Sequence, residues 1–290
     1  MLKVENLSFL YDRKIVLDYI DIEFIPKHIY GLIGENGAGK STLLKCLGNT
    51  LEPNNGVITY KGNQIKDNFD YLKTLVFLDE IDYFEGFNLK ILIKYIAKSK
   101  EMSIDTQKYL KLIEIFNIND KKPIISFSKG MKKIVFLIIV LCLEFKIIIL
   151  DEYLDGIDMI NRNTIKKLFL EYIQEHEAII ILASHSATDI KDICDQIILM
   201  DDAIVKRNTS IDKLGMLYLS YQLVLKNNLN IDDLKLLGLD IRRYTSFENI
   251  RWISVPNNEK QIKILSDMDL LDLKQLKTSI EEVIFNEFSN

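Results

Sequence analysis

The sequence predicts an α/β fold in which a largely parallel sheet is covered by helices. An apolar run at 29–33 leads directly into a glycine-rich loop, and Leu43, Leu44 and Leu47 then follow at helical spacing. Further along, apolar strands alternate with polar, helix-like stretches; the strands are 147–150, 178–182 and 197–200, and the helical stretches are 161–176 and 188–194. Strands and helices that alternate in this way form parallel sheets.

The elements on either side of this core are predicted from simpler patterns. Residues 1–24 alternate apolar and polar side chains, which is the period of half-buried strands. The turn clusters 53–56 and 61–63 enclose a strand at 57–60. Residues 89–144 are mostly helical in pattern, and a helix begins there at a cap on Ser103 or Asp105.

A second domain is predicted beyond residue 215, where the pattern changes to short strands and short helices. The expected strands are 221–226, 239–244 and 251–255, and the expected helices are 231–237, 258–266 and 279–288. We therefore expect one domain at 1–215, with a helical subdomain at about 80–145, and a small α+β domain at 216–290 that serves as an accessory or dimerisation domain.

Composition excludes several classes of protein. The chain has 290 residues and a net charge of −5, so it has no global basic face and nucleic acid is not an expected partner. Cys46, Cys142 and Cys194 lie far apart in apolar surroundings and are expected to be buried thiols. The longest apolar stretch, 134–150, is interrupted by charged residues after about ten positions and is expected to be a buried helix and strand, not a membrane span.

The glycine-rich loop has the pattern of a phosphate-binding loop: Gly, four residues, then Gly-Lys-Ser/Thr. Its residues are Gly34, Glu35, Asn36, Gly37, Ala38, Gly39, Lys40, Ser41 and Thr42. Backbone amides of such a loop surround a triphosphate, the lysine contacts the β- and γ-phosphates, and the hydroxyl next to the lysine binds Mg²⁺. A glycine-rich turn that arose by chance would lack the strand before the loop and the helix after it, and both are predicted here.

A second carboxylate for the metal is expected at the tip of a buried strand. The run 147–150 is followed by Asp151 and Glu152. Asp151 is predicted to hold Mg²⁺, and Glu152 to polarise the attacking water. The alternative is that two adjacent acidic residues start a helix or lie in a surface turn.

A third motif, Ser126 to Lys133, opens the apolar helix. Ser128 is a good helix N-cap, which is one complete explanation for it; a capped helix start with Gly130 in its first turn is also a second anion site. The order of the phosphate loop, Ser-Lys-Gly-Met, a hydrophobic strand that ends in Asp-Glu, and Ser184-His185 resembles the ATP-binding cassette (ABC) family from Lys3 to about Lys206.

This resemblance implies roles for residues that the chemistry alone does not assign. It implies a P-loop ABC domain with an antiparallel N-terminal β-subdomain, a mainly parallel core sheet and a helical subdomain. Tyr11 would stack on adenine, and the alternative is that it simply ends a strand. His185 would contact the γ-phosphate, and the alternative is an ordinary core or surface role. The signature residues Ser128, Gly130 and Met131 would contact the ATP of the opposite subunit. Asp158, another residue expected at the nucleotide, would belong to the loop 156–158 through which the two halves communicate.

The sequence departs from the family pattern at four positions. Lys129 replaces a signature glycine and Met131 a glutamine, and Tyr153 stands where a proline is usual. Glu80 occupies the position of a glutamine that senses Mg²⁺ and the transmembrane partner, so it is the third predicted metal ligand. We expect this substitution to change coupling to the partner more than ATP hydrolysis.

The predicted function is therefore that of an ATP-hydrolysing exporter subunit with ATP and Mg²⁺ as cofactors. The ending at 278–285 is similar to that of cassettes of ABC-2-type exporters of drugs, bacteriocins and peptides, and length and composition resemble cassettes of staphylococcal phenol-soluble-modulin exporters. The resemblance implies a homodimer or heterodimer of cassettes, a permease that contacts residues 79–100, and a cytoplasmic location on the inner face of the membrane. The alternatives are a soluble ABC ATPase of ribosomes or DNA, and a module that holds ATP without hydrolysis.

Overall fold

The computed structural model describes residues 1–78, 84, 86–226 and 229–288. The chain forms two compact units, Met1–Asn208 and Thr209–Asn290, whereas the sequence places the domain boundary at 215/216. None of the helices within the described residues is long and apolar enough to cross a membrane.

The first unit contains ten strands and seven helices in the described part of the chain. The strands are β1 (Leu2–Tyr11), β2 (Lys14–Phe24), β3 (His28–Gly34), β4 (Asn55–Tyr60), β5 (Asn63–Gln64), β6 (Leu75–Leu78), β7 (Ile147–Asp151), β8 (Ile179–Ser184), β9 (Gln196–Asp201) and β10 (Ile204–Ser210), the last of which runs into the second unit. The helices are α1 (Lys40–Leu47), α2 (Phe69–Thr74), α3 (Leu89–Lys100), α4 (Thr106–Ile115), α5 (Lys129–Leu143), α6 (Met159–Glu175) and α7 (Ala187–Ile193).

An antiparallel sheet with the order β2-β1-β4-β5 begins the first unit. Its alternating side chains explain its one-sided burial: Leu2, Val4 and Ile22 are almost completely buried, while Asp21 and Glu23 are exposed. The strands predicted within 1–24 and at 57–60 are therefore confirmed. This sheet and the core sheet share one apolar core, because Leu2 and Val4 belong to the same buried cluster as core-strand residues.

The six-stranded core sheet has the order β10-β9-β3-β8-β7-β6, and its paired strands β6, β7, β8, β3 and β9 are parallel. The runs 147–150 and 179–182 are buried on both faces, as expected for strands covered by helices on either side. The predicted α/β class with a mainly parallel core sheet is confirmed. Since neighbouring parallel strands end at one edge, the carboxyl ends of β3, β8 and β7 lie side by side.

Residues 89–144, which precede β7, are mostly helical, as predicted: they contain α3, α4 and α5. Asp105, and not Ser103, caps α4, because its carboxylate accepts the Lys108 amide at 2.9 Å. Helix α5 is buried on nearly all sides from Lys133 to Leu143, and β7 follows it directly. The longest apolar stretch of the sequence is thus a buried helix and strand, as expected.

The second unit is built on a four-stranded antiparallel sheet with the order β12-β13-β11-β14. Its elements are α8 (Ile211–Gly215), β11 (Tyr218–Leu225), α9 (Ile231–Leu236), β12 (Arg243–Phe247), β13 (Ile250–Pro256), α10 (Glu259–Asp267), β14 (Leu270–Leu276) and α11 (Ile280–Phe288). The helices predicted near 231–237, 258–266 and 279–288 are confirmed.

One strand prediction for this unit is wrong, and one strand was not predicted. The predicted strand at 239–244 begins at Arg243, because Leu239 and its neighbours connect α9 to β12 and Leu239 is buried in the apolar core of the unit. The sequence analysis also missed β14 entirely. Most of its side chains are exposed, so it lacks the alternation by which a half-buried strand is recognised.

Candidate functional site

The glycine-rich loop connects the end of β3 to the start of α1. Gly37 and Gly39 have φ angles of 90° and 99°, which side-chain-bearing residues rarely adopt. A Cβ on Gly39 would lie 2.4 Å from the carbonyl oxygen of Val16, and one on Gly34 would lie 2.4 Å from that of Met200. The loop therefore lies too close to the surrounding backbone for larger residues at these two positions.

Lys40, the first residue of α1, is buried with 6% of its surface exposed. Its Nζ donates to the carbonyl oxygens of Gly34 at 2.7 Å and Glu35 at 3.0 Å. Burial lowers the pKa of the Lys40 ammonium, and the negative charges of Glu152 and Asp151 oppose that shift. The helix begins at Gly39 without a side-chain cap, so the first-turn amides are not used by a capping side chain.

Asp151 and Glu152 lie at the carboxyl end of β7, as the sequence predicts. Asp151 is paired with Ala183 of β8, and the Glu152 amide donates to the Ala183 carbonyl at 3.1 Å. Glu152 has a φ of 44° and turns the chain out of the sheet, so its side chain is exposed while Asp151 stays half-buried. Because β3, β8 and β7 are neighbouring parallel strands, the loop after β3 and the two acidic residues after β7 lie at the same edge of the sheet. The opposing effect of both carboxylates on the pKa of Lys40 agrees with this placement.

His185 follows β8 and joins the same edge of the sheet. Its Nδ1 lies 3.6 Å from Oε1 of Glu152. The ligand atoms of Glu152, Asp155 and His185 all lie within 4.8 Å of one another. The side chain of His185 is 57% exposed, so the imidazole is accessible to a ligand bound at this edge.

The start of α5 contacts the turn that follows Glu152. The Ser128 hydroxyl accepts the Met131 amide at 3.3 Å and caps the helix. A Cβ on Gly130 would lie 2.5 Å from the carbonyl oxygen of Gly156, so only glycine allows this approach. The signature segment and the turn after Glu152 are therefore in direct backbone contact within one chain.

The same region contains a set of hydrogen bonds that the sequence analysis did not predict. We call the residues that form it the Lys133 clamp: Lys133, Glu152, Tyr153 and Asp155. The Lys133 ammonium donates to the backbone carbonyls of Glu152 and Asp155, each at 2.8 Å, and the Tyr153 hydroxyl donates to the Lys133 carbonyl. Burial, and then the nearby charge of Lys129, lower the pKa of Lys133. The one feature of the sequence that could have indicated these contacts is Tyr153, which stands where the family usually has proline.

The remaining predicted residues lie further from this centre of contacts. Asp158 caps α6 by accepting the Asn161 amide at 3.0 Å, and this hydrogen bond holds the pKa of Asp158 below its usual value. Tyr11 ends β1 with 47% of its surface exposed and its ring edge-on to Phe9, with centroids 4.8 Å apart. Glu80 lies outside the described residues.

The geometry defines a nucleotide-binding enzyme of the P-loop class. The family model described as "ABC transporter" matches residues 17–155. A Bacillus subtilis relative, the uncharacterised ABC transporter ATP-binding protein YybJ, is 32% identical over 202 residues, which cover 67% of this chain and 90% of that protein. The chain belongs to the ABC transporter ATP-binding proteins, a family that binds and hydrolyses ATP.

Other relatives and solved structures agree with this assignment. The B. subtilis ABC transporter ATP-binding protein YtrB is 23% identical across 99% of this chain and 98% of its own length. The lantibiotic transport ATP-binding protein SrtF of Streptococcus pyogenes is 28% identical across 67% of this chain and 84% of its own. A structure of an ATP-binding subunit of an ABC transporter, 25% identical, superposes with a TM-score of 0.67 and covers 74% of this chain and 91% of the other.

One structural neighbour shows the fold in a dimer. It is a dimeric ATP-binding cassette in a post-hydrolysis state bound to ADP and Pi, 16% identical, with a TM-score of 0.64 over 72% of this chain and 98% of that one. ABC cassettes act as dimers and associate with transmembrane subunits in transporters.

Proposed function

We propose that this chain is the ATP-hydrolysing subunit of an exporter and that it drives a separate transmembrane permease as a head-to-tail dimer. One observation carries the proposal: Lys40, Asp151, Glu152 and His185 meet at one edge of the core sheet. That arrangement supplies a phosphate-binding cation, a metal-binding carboxylate, a base and an imidazole in a single site.

The loop at Gly34–Thr42 binds the phosphates of one ATP. The amides at the start of α1 face the anion at the positive end of the helix dipole. When ATP binds, the Lys40 ammonium exchanges its two carbonyl partners in the loop for the β- and γ-phosphate oxygens. The buried positive charge is then paired with negative charge. Tyr11, exposed at the end of β1, stacks on the adenine.

Ser41 and Asp151 suit Mg²⁺, which prefers hard oxygen ligands and keeps several waters. The Ser41 hydroxyl is exposed next to Lys40, and the Asp151 carboxylate ends the adjacent β7. Bound there, the metal would neutralise charge on the transferring phosphoryl group. Glu80 is proposed as a third ligand on sequence grounds alone.

Glu152 is the base that polarises the attacking water, and His185 contacts the γ-phosphate. The two side chains approach to 3.6 Å, so each position constrains the other. Both are exposed, as groups must be if they are to reach a nucleotide that binds at the surface of the cassette.

The second subunit completes each site with its signature segment. Ser128, Gly130 and Met131 at the start of α5 contact the γ-phosphate of the ATP held by the opposite loop, and Asp158 lies between the two halves. The ATP then makes contacts with both faces and favours the closed dimer by its differential affinity for that state. A structural neighbour that is a dimer bound to ADP and Pi supports the dimer, while the residue contacts within it are proposed from the family resemblance.

The permease contacts the cassette near residues 79–100, of which 84 and 86–100 lie within the described residues. Phe87, just before α3, and Ile91 and Tyr95 on the helix are 38%, 54% and 58% exposed. The rings of Phe87 and Tyr95 lie 6.2 Å apart. An apolar cluster of this kind fits an inserted helix. Four acidic residues precede this cluster in the sequence, Asp79, Glu80, Asp82 and Glu85, and we propose that they complement basic residues of the permease helix. All four lie outside the described residues.

The cargo is an amphipathic peptide, antibiotic or toxin. The support is the name of the lantibiotic transport relative and the ABC-2-like ending at 278–285. The closer resemblance to phenol-soluble-modulin exporters stays a prediction. Through its permease the cassette lies on the inner face of the membrane.

Replacement of Glu152 by Gln tests the assignment of the base. Nucleotide affinity should be retained, because Lys40 and the loop amides are unchanged, while turnover should fall by roughly 10²-fold or more. The slowed variant should also accumulate as an ATP-bound dimer in size-exclusion chromatography. Glu171→Gln, an isosteric change at an exposed carboxylate on α6, is the matched control. Turnover near the wild-type rate in Glu152→Gln would show that another group is the base.

A further inference from the structure

Strand β14 is a free edge of the C-terminal sheet. It pairs with β11 on one side, and it is last in the sheet order β12-β13-β11-β14. Leu271 and Leu273 on this strand are 61% and 38% exposed. Leu273 stands opposite Leu223, which is completely buried in the core of the unit, so the apolar face of the sheet continues to the edge without cover.

Free edges are usually protected against a second strand by charges, and β14 carries two. Its sequence, Leu-Leu-Asp-Leu-Lys-Gln-Leu, has Asp272 and Lys274 on either side of the central Leu273. When two copies of this strand run antiparallel with Leu273 opposite Leu273, each Asp272 faces the Lys274 of the other copy. The charges that repel most strands attract a second copy of this one.

We propose that β14 pairs with β14 of a second copy of this chain about a twofold axis at Leu273, and that this contact braces the ATP-driven dimer. The inference rests on the proposed head-to-tail dimer, to which it adds a second interface. The pairing would extend each four-stranded sheet into one continuous sheet, with the same edge buried in both copies. Leu273 of each copy would then be covered by Leu273 of the other.

Two local features agree with pairing at this register. The Leu273 amide donates to Oδ1 of its neighbour Asp272 at 2.9 Å, so a side chain satisfies an amide at this edge. A ladder would take over that amide and release the carboxylate for Lys274 of the second copy. The irregularity in the β11–β14 ladder lies between Asp272 and Leu270, so the strand is regular from Asp272 onward.

Other surfaces of the unit fit a second copy less well. The apolar side of α11 is already used, because Val283 and Ile284 are buried and the helix packs on α8. The opposite edge strand, β12, has one charged residue, Arg243, and reversal about its centre would place Arg243 opposite Phe247. Of the two edges of this sheet, β14 is the one whose sequence complements itself.

Charge exchange on the full-length chain tests the proposal without nucleotide, so that ATP cannot drive association. Asp272→Lys and Lys274→Asp each replace two attractive cross-strand pairs by two repulsive ones, and each should weaken self-association by about tenfold. The double variant Asp272→Lys/Lys274→Asp restores opposite charges and should recover wild-type association. A mixture of the two single variants should recover it as well, since each complements the other. Analytical ultracentrifugation measures all four.

Crosslinking tests the register. Leu273→Cys should form a disulfide-linked dimer under mild oxidation, because its Cα atoms lie within the distance that a disulfide spans only if Leu273 faces its own copy. Thr245→Cys, at the centre of the β12 edge, is the matched control and should not crosslink. The three native cysteines are buried and do not interfere. Equal association of all charge variants, or equal crosslinking at both edges, would refute the proposal.

These outcomes are separable from the proposed function. In the Glu152→Gln background, the charge variants should still form the ATP-bound dimer, but they should need a higher ATP concentration than Glu152→Gln with the native β14 sequence. If the ATP-bound dimer forms neither with the native β14 sequence nor with the charge variants, the head-to-tail mechanism is wrong. If it forms with unchanged ATP dependence in every charge variant, the ATP sandwich stands and the β14 contact is refuted.

Discussion

The Lys133 clamp predicts that a hydroxyl group remote from ATP controls turnover. Tyr153→Phe removes a single bond, from the buried tyrosine hydroxyl to the Lys133 carbonyl. Lys133→Met removes the two bonds that the ammonium makes to the carbonyls of Glu152 and Asp155. Since one of those carbonyls belongs to the proposed base itself, both changes loosen the backbone that carries the Glu152 carboxylate.

The structure sets the size of the stability effects. A buried hydroxyl bond contributes about 1 kcal/mol, so Tyr153→Phe should lower the free energy of unfolding by about that amount. Lys133 is only 7% exposed, and its two bonds carry a charge, which roughly doubles the value of each. Methionine avoids the cost of a buried ammonium but leaves two carbonyls without a donor, for a net loss of about 2 kcal/mol.

The kinetic effect should be larger than the stability effect and confined to the chemical step. A displacement of a catalytic group by about 1 Å can cost up to 10²-fold in rate, so we expect turnover of Lys133→Met to fall at least about tenfold. KM for ATP should stay within about twofold, because Lys40 and the glycine loop are untouched. Tyr153→Phe should show a weaker form of the same pattern.

A second buried tyrosine supplies the matched control. The Tyr172 hydroxyl donates to the Phe145 carbonyl at 2.7 Å, before the start of β7 and away from Glu152. Tyr172→Phe should therefore lose the same stability as Tyr153→Phe in urea unfolding, with normal turnover. If the two variants lose turnover equally, or if Lys133→Met is destabilised with unchanged turnover, the clamp does not position the base.

Two further predictions separate the functions of other surfaces. Lys40→Ala should weaken nucleotide binding at least tenfold, since the buried triphosphate loses its main side-chain counter-charge. Ser128→Arg should leave nucleotide affinity unchanged and block the closed dimer. If fluorescent-nucleotide titration shows equal losses of affinity in the two variants, Ser128 belongs to the first ATP site. Replacement of Ile91 and Tyr95 by Ser should abolish permease-stimulated turnover and leave basal turnover unchanged. The control Leu110→Ser, at a similarly exposed residue on α4, should change neither rate. If ATPase assays with the permease show normal stimulation in the Ile91/Tyr95 variant, the permease does not bind to these residues.

The sequence predicted the core of the fold well because its strands are buried on both faces. The runs 147–150 and 179–182 are apolar throughout, so both faces of each strand must be covered, as they are in a parallel sheet between two layers of helices. The C-terminal sheet was harder to predict. Leu239 is apolar because it fills the core from a loop, which imitates a strand, and β14 is exposed at an edge, where no alternation is required.

The candidate site shows the same division between local and tertiary information. The glycine loop and the Asp151-Glu152 pair are local motifs, so their positions could be predicted. The clamp could not, because three lysines lie close together at 129, 132 and 133, and only packing decides which one turns inward. Lys133 is the one buried against the turn after Glu152, while Lys129 remains exposed.

The clamp and the signature segment together give one departure from the family pattern, Tyr153, a structural role. Glycine at 130 permits contact with the Gly156 carbonyl, and Lys133, one turn away from Lys129, reaches the carbonyls on either side of Tyr153. In the proposed dimer this places the start of α5, which contacts the nucleotide of the opposite subunit, in direct contact with the backbone of the base in its own subunit. We therefore expect a shift of the signature segment on ATP binding to move the Glu152 backbone as well. Proline at 153 would make the turn more rigid, but it has no hydroxyl group to donate to the Lys133 carbonyl of α5. Tyrosine at this position gives a less rigid turn that is hydrogen-bonded to the helix of the signature segment.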